Sequence, residues 1–285
     1  ETNPPSNPAF YLNPITAMGW QTERWFQLCA EIVSGFWEHG LGKQPARHNA
    51  IYQGTPSGTW STATNTGAIL NVFGPNGMDY IPSTPDYLNQ YGWNANATTI
   101  NNAINSGAFM LLHRDHGLET GWGEPDYNNN NAYSLVNEDL TFVFSINCLT
   151  GKFDRVGDCL AEAFHRHTYG AVGVVAPTEV SYSFVNDTLV WGMFNNMWPS
   201  FLPDTPAYGT EFGTRYVMPA FAMAAGKWFL EGSSWPYNND SKTITHRLFH
   251  HHGDPFTNVF TEMPQPITAS YNPVLITGTE SFFIT

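Results

Sequence analysis

Short apolar stretches separated by polar loops predict an α/β fold. Residues 108–112 and 140–147 are near-continuous runs of aliphatic, β-branched and aromatic side chains, and residues 171–176 form a third run. Runs of this length and composition are typical of strands that are buried on both faces of a parallel sheet. Residues 48–52 and 246–251 are further strand candidates. We therefore expect a mainly parallel sheet flanked by helices.

Apolar residues recur at helical spacing between these strands. The pattern over Thr22 to Trp37 predicts one helix, and Asp158 to His167 supplies the crossover helix that two parallel strands require. Residues Glu1 to Pro14 hold four prolines and predict an extended lead-in. Further helices are predicted over residues 66–73, 86–91, 99–105 (with Thr98 as its cap), 190–198 and 216–230.

Composition narrows the class of partner. The 285 residues include 11 Lys and Arg against 24 Asp and Glu, which gives a net charge of −13. An acidic excess of this size repels phosphate backbones, so we expect no nucleic-acid partner. The sequence has no apolar stretch of the length that a membrane span needs. Its three cysteines leave at least one thiol outside any internal disulfide.

Two reactive side chains follow neighbouring strands of the predicted sheet. His116 comes just after the first run and Cys148 comes directly after the second. Chemistry in open α/β sheets gathers outside the carboxyl ends of the strands. Either residue alone is more often structural, but together they supply a thiol nucleophile and an imidazole that moves protons. The pair predicts a cysteine hydrolase.

The segments around these residues resemble a known family. Residues 116–123, His-Gly-Leu-Glu-Thr-Gly-Trp-Gly, are similar to the histidine motif of the gingipains, the cysteine endopeptidases of peptidase family C25. Residues 142–153, which contain Asn-Cys-Leu-Thr-Gly-Lys-Phe, resemble their nucleophile segment. Residues 159–164 and 253–255 match two further landmarks in the same order, so the resemblance covers roughly residues 48–263. It implies a caspase-like fold and a polypeptide substrate.

The resemblance also implies a domain organisation. Residues 1–265 would be a catalytic domain that lacks its first strands. Residues 266–285 would begin an immunoglobulin-like β-sandwich, because 267–271 and 281–285 alternate as strands do. Further domains of the same precursor, and secretion to the surface or surroundings of a bacterium, follow from the resemblance.

The resemblance assigns the chemistry residue by residue. Cys148 would be the nucleophile and His116 the general acid and base. The backbone N–H groups of Gly117 and Cys148 would form the oxyanion hole. Glycine suits position 117, because without a side chain its backbone can approach the substrate closely.

The substrate side of the site is expected in the segment after the third strand. Tyr182 matches an aromatic position of the gingipain pocket, or it simply packs there. Glu179 or Asp187 would supply charge to that pocket.

One part of the gingipain pattern is absent. Gingipains carry an upstream carboxylate that orients the histidine, in the loop after a strand that resembles residues 48–52. The corresponding loop, residues 53–65, contains no Asp or Glu, and the acidic residue behind arginine specificity has no match either. Asp115 and Glu119 are the remaining candidates to orient the histidine.

A histidine-rich segment raises the question of a metal. His250 to His252, with His246 and His113, offer imidazoles, but adjacent strand residues point to opposite faces and do not converge on one ion. We therefore expect no catalytic metal. A structural calcium ion held by loop oxygens around residues 124–131 stays open.

Two other functions stay open. A sortase-like transpeptidase of the same fold would pass the acyl group to an amine instead of water. A non-catalytic surface or adhesion module would retain the fold without the chemistry, and the absent carboxylate favours it somewhat.

Overall fold

A computed structural model describes residues 4–205, 217–234, 239–265 and 268–270. Its strands are β1 (Ile15–Gln21), β2 (Ala46–Gln53), β3 (Met110–Arg114), β4 (Gly117–Leu118), β5 (Gly121–Trp122), β6 (Tyr127–Asn128), β7 (Thr141–Ile146), β8 (Ala171–Pro177) and β9 (Phe249–Gly253). Its helices are α1 (Pro8–Leu12), α2 (Phe26–Gly35), α3 (Thr66–Phe73), α4 (Ala97–Asn105), α5 (Asn129–Tyr133), α6 (Leu160–Arg166), α7 (Val185–Met197), α8 (Pro219–Gly232) and α9 (Asn239–Leu248). A π-helical turn, Phe36–Gly40, extends α2, and Asp86–Tyr91 is a 3-10 helix.

Six strands form the central sheet in the order β2-β1-β3-β7-β8-β9. All neighbouring pairs are parallel except β8 and β9, which are antiparallel. The short strands β4, β5 and β6 form a separate antiparallel sheet directly after β3. The prediction of a mainly parallel sheet flanked by helices is confirmed.

Apolar side chains cover both faces of the sheet, as the unbroken hydrophobic runs require. One core packs α2 and α7 against β3 and β7 through residues such as Leu112, Phe144 and Trp191. The other packs α4 and α6 against the same strands through residues such as Leu111 and Val143. Successive residues of each strand therefore enter different cores. Within the described residues, no helix is long and apolar enough to cross a membrane.

The amino-terminal region differs from the expectation. Residues 1–14 were expected to be extended, yet the described part contains α1, where Asn7 accepts the Ala9 N–H and Pro8 stands at the first helical position. Strand β1, fully buried at every residue, follows at once and lies between β2 and β3. No strand was predicted at 15–21.

Three element boundaries also differ. Helix α4 begins after Asn96, whose side chain accepts two backbone N–H groups, so Thr98 is not the cap. Helix α7 starts at Val185 rather than residue 190, because the Asp187 carboxylate accepts the Phe184 N–H. The strand expected over 246–251 is the end of α9 followed by β9.

The carboxyl-terminal tail is described only at residues 268–270, which have no regular secondary structure. The described part of the segment 267–271 therefore shows no strand, whereas the strand expected at 281–285, and with it the immunoglobulin-like element, lies outside the described residues. The boundary between residues 265 and 266 stays a prediction.

Candidate active site

A cleft of about 450 Å³ opens at the carboxyl ends of the central strands. Both His116, two residues after β3, and Cys148, two residues after β7, line it. The parallel pairing of β3 with β7 explains why, since it brings the two strand ends to one edge of the sheet. The remaining lining residues come from the ends of β3 and β7 and from α2, α7, α9 and their flanking loops: Arg24, Phe26, Arg114, Asp115, Asn147, Val180, Ser181, Tyr182, Ser183, Phe184, Val185, Asn186 and Ser241.

The His116 imidazole is held by an amide at the end of β1. Its Nε2 lies 2.7 Å from Gln21 Oε1. The Gln21 Nε2 in turn donates to Glu23 Oε1 at 2.5 Å, which fixes the amide with its oxygen towards the imidazole. Nε2 of His116 is therefore the protonated nitrogen, and Nδ1 of the neutral ring is left unprotonated.

Aromatic rings confine the same imidazole. Tyr52 lies at 4.3 Å between ring centroids, and Phe26 meets the ring edge-on at 5.2 Å. Burial lowers the pKa of His116, and the neighbouring Arg114 and Arg24 lower it further. The neutral imidazole is thus the favoured form in the free protein.

The Cys148 side chain is half-buried and contacts the segment after β8. Its Sγ accepts the Ser181 N–H at 3.4 Å and lies 3.5 Å from the Ser181 carbonyl oxygen. Among the described residues, no hydrogen bond joins its Sγ to the His116 ring. Leu149, the next residue, has a φ of +63°, a strained conformation for a side chain of this kind that is typical of functional sites.

Gly117 packs directly on the segment that carries Cys148. A Cβ on Gly117 would lie 2.7 Å from the Cys148 carbonyl oxygen and 2.8 Å from Asn147 Cγ, which is closer than such atoms approach. Only glycine therefore allows the histidine and cysteine segments to meet. Within the described residues, the Cys148 backbone N–H donates to no acceptor.

A buried polar network fixes Asn147, the residue before Cys148. The Asn147 amide nitrogen lies 2.9 Å from His113 Nδ1, and its Oδ1 accepts the Thr150 hydroxyl at 2.6 Å. The His113 ring is completely buried, stacks on Trp122 at 4.1 Å and contacts the Glu124 carbonyl oxygen through Nε2. Burial lowers the pKa of His113 to about 3, so this histidine is a neutral structural brace.

Neither expected carboxylate orients His116. Asp115 is buried, and its Oδ2 accepts the Glu124 N–H at 2.6 Å. Burial raises the pKa of this carboxyl to about 7. The Glu119 side chain makes no hydrogen bond or ion pair to the described residues, and its backbone oxygen accepts the Leu160 N–H.

A buried ion pair forms the floor of the cleft. Arg114 Nε lies 2.5 Å from Asp187 Oδ1, with both side chains almost inaccessible to solvent. The Asp187 charge, expected to serve a substrate, is therefore committed to Arg114 and to the Phe184 N–H.

Of the two residues predicted to bind substrate, one lines the cleft and the other does not. Tyr182 lines the cleft and is 39% exposed. Glu179 is absent from the lining, and its carboxylate pairs with Lys152. Its role in substrate binding stays a prediction.

The histidine-rich strand alternates as expected. His251 stacks on Phe142, whereas His250 and His252 both face Phe153. Within the described ranges, no three His, Cys, Asp or Glu side chains converge as metal ligands. Calcium near residues 124–131 stays a prediction.

Parallel strands that carry a histidine and a cysteine to one cleft define an α/β protein with the layout of a cysteine hydrolase. The sequence matches peptidase family C25 over residues 44–260, most of the chain. The chain belongs to this family.

Relatives and solved structures agree with this assignment. Gingipain R2 and gingipain R1 of Porphyromonas gingivalis are each 32% identical to the chain over 82 residues, which cover 27% of this chain and 11% and 8% of those proteins. The crystal structure of the Arg specific cysteine proteinase gingipain R superposes with a TM-score of 0.65 at 16% identity, over 98% of this chain and 54% of that one. A complex of the Porphyromonas gingivalis RgpB pro- and mature domains gives 0.64 at 16%, over 98% and 55%. The chain thus spans about half of these structures, which show the fold.

Two residues of the site were not predicted from the sequence. Gln21, which contacts His116, is the last residue of β1, and Arg24, which lines the cleft, follows that strand. Residues 53–65, the loop that corresponds to the carboxylate-bearing loop of the gingipain pattern, follow β2 instead. The sequence signal for this strand is the interrupted apolar run 15–20 before a polar cluster, and it does not single out either residue.

Proposed function

We propose that the chain is a cysteine endopeptidase in which Cys148 is the nucleophile and His116 the general acid and base. One observation carries the proposal: the two side chains line a single cleft, and the segments that bear them are in contact through Gly117. The family assignment supports a polypeptide substrate.

The geometry supports a definite order of proton transfers. His116 Nδ1 takes the thiol proton when substrate brings the groups together, and the thiolate attacks the scissile carbonyl carbon. The backbone N–H groups of Cys148 and Gly117 would stabilise the resulting oxyanion. The imidazolium then gives its proton to the departing amine, which leaves an acyl-enzyme. Water, deprotonated by the same nitrogen, hydrolyses the thioester and restores the thiol.

Gln21 would be the positioning residue for this imidazole. Its amide oxygen accepts the Nε2 proton and so keeps Nδ1 unprotonated, as a carboxylate would. Unlike a carboxylate, a neutral amide adds no charge that favours the imidazolium. The missing carboxylate therefore does not remove the third member of the site.

The proposed reaction requires the Cys148 side chain to rotate from the position that it has in this structure. The Cys148 Sγ now contacts Ser181, so attack requires it to turn towards the substrate carbonyl. Hydrogen bonds in free enzymes are often long and tighten only when substrate binds, so this arrangement is compatible with catalysis.

Cleavage of a peptide library tests the proposal. The wild-type chain should cleave a subset of peptides, Cys148→Ala should cleave none, and iodoacetamide should label Cys148 in the native protein. Cys159→Ala is the matched control, because Cys159 is fully buried away from the cleft. Cleavage that survives Cys148→Ala would refute the assignment. An added amine that appears in the products would show transpeptidation instead.

The resemblance to the gingipains extends the proposal to location. We place the enzyme outside the cell or at the surface of a bacterium, as one part of a longer precursor. Fractionation of the source cells with an antibody to this chain would test it.

A further inference from the structure

The charges that face the cleft are mainly positive. Arg24 and Arg114 both line it. Among the described residues, Asp115 is the one carboxylate in the lining, and it already accepts the Glu124 N–H. Asp187 lies behind Arg114 and is absent from the lining. A cationic side chain entering this cleft would meet the Arg24 guanidinium and no free carboxylate, because the charge of Arg114 is already paired with that of Asp187.

Arg114 offers a buried donor without an acceptor. The side chain is 1% exposed, with Nε on Asp187 and Nη1 3.3 Å from the Ile146 carbonyl oxygen. Its Nη2 is buried and has no hydrogen-bond partner among the described residues. The Phe26 ring, 4.2 Å from the guanidinium carbon, supports the group from one side. Buried donors are nearly always paired, so an unpaired one in a cleft points to a ligand atom.

Arg24 supplies a second cation at the same opening. Its backbone is fixed, because its N–H donates to the Gln21 carbonyl and its carbonyl accepts from the Gln27 amide. Its Nε is also buried without a partner among the described residues. The carboxylate next in sequence, Glu23, is directed to Gln21. Arg24 is therefore free to bind an anion that enters the cleft.

We propose that this cleft selects an acidic residue, Asp or Glu, on the amino side of the bond that is cut. The inference rests on the proposed function and names its substrate class. The side chain next to the attacked carbonyl must lie near Cys148, and both guanidinium groups line the same cleft. A carboxylate there would satisfy the unpaired nitrogens of Arg114 and Arg24 with charge-assisted hydrogen bonds. The arginine preference printed for gingipain R requires the opposite charge.

Peptides that differ only at this position provide the test. We expect kcat/KM for fluorogenic peptides with Asp or Glu to exceed that for the uncharged Asn analogue at least about tenfold, and to exceed that for Arg by more. Arg24→Gln should lower the Asp-to-Asn ratio about tenfold, and Arg24→Glu should move the preference towards Arg. Arg166→Gln, an exposed arginine paired with Asp158, is the matched control and should leave the ratio unchanged. Equal rates for Asp and Asn, or fastest cleavage after Arg or Lys, would overturn the inference.

A binding assay separates the two proposals. Cys148→Ala should bind the Asp peptide more tightly than the Asn peptide, as fluorescence polarisation would report. Acid-selective binding with no cleavage of any peptide by the wild-type chain would overturn the proposed function and support the acidic site. Cleavage that depends on Cys148 but ignores the acidic side chain would do the reverse. Neither binding nor cleavage would overturn both.

Discussion

A neutral amide occupies the place next to the histidine where a carboxylate was expected. Gln21 holds the Nε2 side of His116, and Glu23 holds Gln21. The carboxylate thus acts on the imidazole through one intervening amide. Burial and two nearby arginines keep the pKa of His116 low, so the amide orients the ring without making it a cation.

Two substitutions at Gln21 should distinguish the effect of orienting the His116 ring from the effect of placing a charge beside it. Gln21→Ala removes the acceptor, and we expect kcat/KM to fall about 10- to 100-fold because the tautomer is no longer fixed. Gln21→Glu keeps the acceptor and adds a negative charge, which should raise the pKa of His116. The pH profile of kcat/KM and an NMR titration of the His116 ring measure both effects.

The control for this pair is Gln44→Ala, at an exposed glutamine outside the cleft. If Gln21→Ala retained full activity and Gln21→Glu titrated like the wild type, Gln21 would have no role in positioning.

The placement of His116 and Cys148 at one edge of the sheet could be predicted from the sequence, but the group that holds the imidazole could not. His116 and Cys148 could be predicted because each follows a recognisable strand, and parallel strands end at a common edge. Gln21 could not, because a lone glutamine carries no motif and its partner is 95 residues away. Which side chain faces the imidazole depends on the register of β1 against β3, which is set by tertiary packing.

At the scale of elements, β1 is the strand that the hydrophobic pattern of the sequence does not predict. Its seven residues are buried on both faces but include Thr16, Gly19 and Gln21, which interrupt the apolar run. The prolines before it favoured an extended lead-in. A tertiary contact explains why residue 19 is glycine, because a Cβ there would lie 2.5 Å from Asp115 Cγ. Close approach of β1 to the end of β3 thus excludes a side chain.

Gly19→Ala should therefore destabilise the fold. The added methyl group must displace the buried Asp115 carboxyl, and we expect the free energy of unfolding to fall by about 1–3 kcal/mol. Gly67→Ala in α3 is the matched control, because a Cβ there meets nothing within 4 Å and alanine favours a helix. Urea denaturation of both variants measures the difference. Equal stability of Gly19→Ala and wild type would contradict the contact.

At the scale of the molecule, burial of titratable groups couples stability to pH in two opposite directions. The pKa of His113 falls to about 3, so the unfolded chain binds the extra proton between pH 3 and 6.5 and stability rises with pH there. The pKa of Asp115 rises from 3.8 to about 7, so the folded protein holds the extra proton between these values. The stabilisation of the fold that this proton gives is fully present below pH 4 and is lost as the pH rises to 7.

Asp115→Asn isolates the second effect. The difference in unfolding free energy, variant minus wild type, should increase by up to about 1.4 kcal/mol per pH unit between pH 4 and 7 and level off above pH 7. Urea denaturation at several pH values measures it. Asp154→Asn, at an exposed carboxylate, should give a curve nearly parallel to that of the wild type. A pH-independent difference for Asp115→Asn would mean that this carboxyl is ionised in the folded protein.

The close fit of Gly117 against the Cys148 carbonyl has a consequence for how new substrate ranges arise. Because these two stretches are in close contact, neither can shift without moving the proposed nucleophile, Cys148. The wall formed by the Tyr182 and Arg24 side chains is free of that constraint, because within the described part of the chain neither side chain forms a hydrogen bond to these stretches. Amino-acid substitutions among related proteins should therefore occur mainly on this wall, while the conformation of the two stretches in contact stays the same.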